Sequence, residues 1–132
     1  MRFLVDTSVW SLAFRRDEPA DHPAVAKLCE IIDGKDDVFL IGVVLQEVLQ
    51  AFRSEATVSR VERQLSQIPL LDLSRQDYAL AAGIRRRCAS SGVTVHTVDC
   101  QIAAAAIAHR CALLTTDRDF DLIAARTGLQ LA

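Results

Sequence analysis

At 132 residues with 51% apolar content, the chain is long enough for one full core and too apolar to be disordered, so residues 1–132 read as a single domain. The net charge of −2 gives no basic footprint for nucleic acid, yet the positive side is almost all arginine, the better planar fork for phosphate; Lys27 and Lys35 are the only lysines. No apolar run nears the roughly 18 residues of a membrane helix and no signal-peptide core opens the chain, so a soluble, cytoplasmic protein without membrane attachment is expected.

In chain order, Arg2–Asp6 reads as a strand and Thr7 to about Arg16 as a helix, followed by a polar loop with Asp17, Glu18, Pro19 and Asp21. Pro23 suits the first turn of a second helix, whose Val25, Leu28, Cys29 and Ile32 keep helical spacing. Val38–Ile41 is a short buried strand, and Gly42 opens a helix with Val44, Leu45, Val48, Leu49 and Phe52 facing inward. A more polar helix covers Ser54–Gln67, and Pro69 confines a third strand at Ile68–Leu71 to a sheet edge. Ser74 with Asp77 forms a capping-box pattern for a helix that stops near Ser90-Ser91-Gly92. Thr97 is read as the cap of an alanine-rich helix packed on more than one side. Leu113–Thr116, Asp119–Thr127 and Leu129–Leu131 complete the alternation as strand, helix and strand. This pattern predicts an α/β domain with a mostly parallel sheet covered on both faces. Cys29, Cys88, Cys100 and Cys111 lack metal-site spacing and read as reduced core thiols in apolar helical stretches.

Four acids stand where a strand-like run ends or a helix begins: Asp6, Glu47, Asp99 and Asp117. Parallel strands gather their carboxyl ends on one edge, so these distant residues would meet there. Carboxylates at close quarters repel, and such a cluster normally holds a cation.

Asp6-Thr7-Ser8 after the first strand, Glu47 in the third helix, Asp99 before the alanine-rich helix and Thr115-x-Asp117-Arg118-Asp119-Phe120 resemble the PIN-domain ribonucleases, and within them the VapC-type toxins of bacterial toxin–antitoxin pairs. The resemblance spans the whole chain and implies a three-layer αβα PIN-like fold and an RNA substrate. It also implies a cognate VapB-type antitoxin, whose extended tail covers apolar grooves near the active site, and a homodimer.

An all-carboxylate set with no thiolate or imidazole partner selects a hard cation, Mg²⁺ or Mn²⁺, over zinc. Asp6 and Asp117 are assigned as direct or one-water-removed ligands; Asp99 and Glu47 complete the coordination or orient the nucleophilic water, and the choice of general base stays open. Singly, each acid also has a local reading: Asp6 and Asp99 as helix caps, Glu47 as a solvated helix residue, Asp117 as a turn residue. Asp119 is either a further acidic contributor or the N-cap of the last helix. Ser8 and Thr115 are expected to donate to a carboxylate and fix its orientation. His96 reads as structural or solvated rather than as a base.

Arg118, beside Asp117, is the candidate RNA contact, whereas Arg85-Arg86-Arg87 reads as a solvated face with local ion pairs. With aromatic residues at 5%, a multi-base stacking platform is not expected, and recognition would rest on the shape and backbone of a structured RNA. Trp10 and Phe14 read as a core ridge or, alternatively, as a partner surface. A Mg²⁺-binding phospho-receiver would need a late lysine, but the last is Lys35; a phosphatase with an aspartyl nucleophile would need an acid where Ser8 stands. A PIN-like interaction module that has lost catalysis is opposed by the intact acids.

Overall fold

The computed structural model describes residues 1–15 and 21–132. Five strands, β1 (Arg2–Val5), β2 (Asp37–Ile41), β3 (Leu70–Leu71), β4 (Ala112–Leu114) and β5 (Gln130–Leu131), form a wholly parallel sheet in the order β3-β2-β1-β4-β5. β3 lies at an edge, where the missing N–H of Pro69 costs nothing and its carbonyl accepts from Leu40 N at 3.0 Å.

The helices are α1 (Thr7–Ala13), α2 (Pro23–Asp33), α3 (Gly42–Gln50), α4 (Glu55–Leu65), α5 (Arg75–Ser90), α6 (Thr97–Ala108) and α7 (Asp119–Ala124). Right-handed crossovers decide their placement. The path β1 to β2 to β3 moves one way across the sheet and puts α1–α4 on one face; the return to β4 and the step to β5 put α5–α7 on the other. The packing agrees, since α1 touches both α2 and α3, α3 touches α4, and α5, α6 and α7 touch one another. The expected three-layer αβα, α/β architecture is therefore present.

The central strands are buried on both faces, with Leu4, Val5, Leu40, Ile41 and Leu113 fully enclosed. Ala103–Ala106 of α6 are also fully buried, and these small side chains let α6 sit tightly between the sheet and α5. Ser74 and Asp77 form the reciprocal capping box, Ser74 Oγ accepting from Asp77 N and Asp77 Oδ2 accepting from Ser74 N.

Several local expectations need correction. Within the described residues α1 ends at Ala13, and Arg16, Asp17, Glu18 and Pro19 lie outside them. α7 stops at Ala124 and not Thr127. α6 is capped by His96 backbone, with Thr97 already its first helical residue. On α2 the inward residues are Ala24, Val25, Leu28 and Ile31, leaving Cys29 and Ile32 exposed, because the helix phase is set by Ile31 rather than Ile32. Cys88, Cys100 and Cys111 are buried free thiols, although Cys111 precedes β4 instead of lying in a helix; burial pushes the Cys100 and Cys111 thiols up. Trp10 is core, stacked on Phe14 with ring centroids 5.9 Å apart. Among the described residues no helix is long and apolar enough to cross a membrane.

Candidate active site

The strand order reverses between β1 and β4, and a parallel α/β sheet opens a crevice at the carboxyl ends of two such strands. Register makes this specific. Val5 pairs with Leu114, so the next residue on each strand, Asp6 and Thr115, emerges side by side. Asp6 occupies the N-cap position of α1 through its backbone, its carbonyl accepting from Val9 N and Trp10 N, but its side chain makes no capping bond. The carboxylate turns into the crevice, where only 5% of the residue is exposed.

Two hydroxyls satisfy that buried carboxylate. Ser8 Oγ donates to Asp6 Oδ2 at 2.7 Å and Thr115 Oγ1 donates to the same oxygen at 2.8 Å. With both protons committed, the 3.4 Å approach of Ser8 Oγ to Thr115 Oγ1 is a contact and not a further donated bond. Each hydroxyl also accepts a backbone N–H, Ser8 Oγ from Thr116 at 3.1 Å and Thr115 Oγ1 from Asp117 at 3.0 Å. Asp117 Oδ1 then accepts from Asp119 N at 2.9 Å. These short side-chain-to-backbone bonds wind the chain from β4 into α7.

The turn brings Asp117 and Asp119 beside Asp99, which α6 presents from its first turn. One carboxylate oxygen from each of Asp99, Asp117 and Asp119 lies within 4.8 Å of the others. Burial, then the negative charge of Asp117, Asp6 and Asp119, raises the Asp99 carboxyl to about 6, with His96 acting in the opposite direction. The tight group thus differs from the expected Asp6, Asp99 and Asp117: Asp119 is a member and Asp6 stands alongside it. Asp119 is the first residue of α7 and not its cap.

Glu47 reaches the site's surroundings differently. Its Oε1 accepts a 2.8 Å hydrogen bond from Thr7 Oγ1, tying α3 to the start of α1. Sequence reading gave Thr7 no role beyond opening the helix; its spacing carries no signal for a partner 40 residues away. Arg118 is exposed and lines, with Asp117, a cavity of about 180 Å³. Arg85, Arg86 and Arg87 are exposed, as expected of a solvated face; Arg85 donates to Val95 O and Arg87 to Arg126 O, and among the described residues none of the three forms an ion pair. His96 is exposed and makes no capping bond.

The donor set fits a divalent ion. Octahedral Mg²⁺ with oxygens at about 2.1 Å places those oxygens roughly 3 to 4 Å apart, which the three carboxylates reach by a slight contraction.

A family model for the PIN domain matches residues 3–126. This chain belongs to the PIN-domain family. VapC ribonuclease Mb1587 of Mycobacterium bovis and ribonuclease VapC11 of Mycobacterium tuberculosis are each 33% identical to it over 131 residues, covering 98% of this chain and 96% of the relative. Among solved structures, VapBC2 of Rickettsia felis bound to a DNA fragment from its promoter superposes with a TM-score of 0.81, covering all of this chain and 98% of the other; at 19% identity the likeness speaks for the fold.

Proposed function

We propose that this PIN-domain chain is, over residues 1–132, a metal-dependent endoribonuclease that hydrolyses phosphodiester bonds of structured RNA, and that it is the toxin of a VapBC-type pair acting in the cytoplasm. The observation that carries the reading is the convergence of Asp99, Asp117 and Asp119 beside the hydroxyl-held Asp6 at the strand-order reversal. The ribonuclease names of relatives aligned over nearly the whole chain support it.

Asp99, Asp117 and Asp119, with Asp6 adjacent, would hold Mg²⁺ or Mn²⁺. When bound, such an ion neutralises charge on the phosphate oxygens and makes a nearby water a better nucleophile. The chain's own part is orientation. Both hydroxyls grip one oxygen of Asp6, which fixes the plane of the carboxylate. Glu47, held by Thr7, is assigned to orient the attacking water. Asp99 must give up its proton before it can act as a ligand. Arg118, outside the acidic group, is assigned to the RNA backbone.

By analogy with the solved VapBC complexes, the inhibitory partner would be a VapB-type antitoxin; the family resemblance adds a homodimer. Purified wild-type protein should cleave structured RNA with Mg²⁺ or Mn²⁺ and stop on chelation. Asp6→Asn should abolish cleavage without loss of fold. Metal-dependent cleavage retained in a clean Asp6→Asn preparation would overturn the mechanism.

A further inference from the structure

A second concavity lies on the same carboxyl edge of the sheet, on the β2/β3 side of the acids. It encloses about 360 Å³, within the range of small-molecule sites, and its walls include Gly42, Val43, Asp72, Leu73, Tyr78 and Gln101. Gly42 follows β2 directly, Asp72 and Leu73 follow β3, and Tyr78 and Gln101 come from the packed helices α5 and α6. Gln101 is two residues beyond Asp99, so α6 turns by about 200° between them. One turn of one helix therefore presents an acid toward β4 and an amide toward β2.

Three features point to a flat, uncharged, partly polar occupant. Tyr78, the chain's single tyrosine, is 52% exposed although it lines a hollow with apolar Val43 and Leu73. A Cβ added at Gly42 would meet nothing within 4 Å, so neither crowding nor backbone strain demands glycine there, and its absent side chain leaves the hollow open. Among the described residues Asp72 is the one charged side chain in the lining; it repels phosphate and can accept from an amino group.

We propose that this pocket is a nucleobase subsite of the nuclease, where Tyr78 stacks on a base bearing an exocyclic amine while Asp72 and Gln101 read its edge. Adenine, guanine or cytosine is thereby selected over uracil at one nucleotide flanking the cleaved bond. The inference rests on the endoribonuclease reading and names its specificity determinants. It needs one stack, not the extended platform that the low aromatic content excludes.

The test maps cleavage of a random-sequence RNA pool alongside steady-state kinetics. Tyr78→Ala and Gly42→Leu should flatten the wild-type bias against uridine at one flanking position and raise KM by about tenfold with a smaller change in kcat, whereas Tyr78→Phe keeps both. Binding is read independently by titrating adenosine or uridine monophosphate while following the single tyrosine's ring resonances by NMR. Adenosine monophosphate should shift them more strongly, and Gly42→Leu should remove the shift. Unchanged maps and KM in Tyr78→Ala and Gly42→Leu would overturn the subsite. A wild-type protein that cleaves no RNA would instead overturn the nuclease reading, and the mononucleotide titration would still decide the pocket: a missing Tyr78 shift rejects it.

Discussion

Thr115 Oγ1 donates a 2.8 Å hydrogen bond to Asp6 Oδ2 across 109 residues of sequence. The pairing of Val5 with Leu114 makes the two residues neighbours, and Ser8 completes the grip from the same turn as Asp6. Thr115→Val keeps the β-branched shape but removes a donor to a buried carboxylate and the acceptor for Asp117 N. It should lower metal affinity and RNA cleavage by about tenfold or more and destabilise the fold by about 1 kcal/mol. Thr115→Ser should recover most of both. Metal titration calorimetry and thermal melts check the two effects separately.

Asp99 sets a pH dependence with a definite sign. Its folded-state carboxyl lies at about 6 against an ordinary 3.8. Between these values the folded chain keeps a proton that the unfolded chain has lost. Metal-free stability from this group therefore falls as pH rises through that window and levels off above about 6. Asp99→Asn should flatten that slope and stabilise the metal-free protein at pH 7 by about 1 kcal/mol, a value discounted because the side chain is partly exposed. Metal affinity runs the other way, weakening below pH 6 as proton and ion compete for the carboxylate. Paired melts and metal titrations at pH 5 and 7.5 separate the two trends.

The Thr7–Glu47 bond is a pairwise claim and suits a double-mutant cycle. Thr7→Val and Glu47→Gln should each reduce RNA cleavage, Glu47→Gln more strongly because it removes the charge. Their effects on stability should be coupled by about 0.5–1.5 kcal/mol. Fully additive stability effects would show that the bond carries no net energy.

Close packing of α6 predicts intolerance to volume, not to polarity alone. Ala104 is fully buried, and Ala104→Leu should cost about 1–3 kcal/mol or more by forcing α6 away from its neighbours. Ala108→Leu, at an exposed position of the same helix, should change stability by less than about 0.5 kcal/mol. Chemical denaturation of the two variants makes the comparison.

Much of the architecture was legible in the chain because it is written in short-range patterns. Pro23 starts α2, Ser74 and Asp77 box the start of α5, and Pro69 keeps β3 at the edge. The alternation of strand and helix implied parallel pairing, and parallel pairing implied a common edge for Asp6 and Asp117. Where the expectations slipped, a local pattern admitted two solutions. Ile31 and Ile32 both fit a helical stripe on α2, and only packing chose Ile31.

The amino-acid sequence alone determined the element order, the placement of Asp6 and Asp117 after strands and of Asp99 in a first helical turn, and the preference of such acids for a hard cation, whereas Glu47 lies past the first turn of α3 and not at its start. These follow from periodicity, capping and ligand chemistry, which act within a few residues. Tertiary structure decided which acids meet, that Asp119 joins Asp99 and Asp117, that Ser8 and Thr115 grip one oxygen of Asp6, and that Thr7 reaches Glu47. Those contacts depend on strand order and register, and no local pattern encodes which of several carboxylates a turn will aim inward.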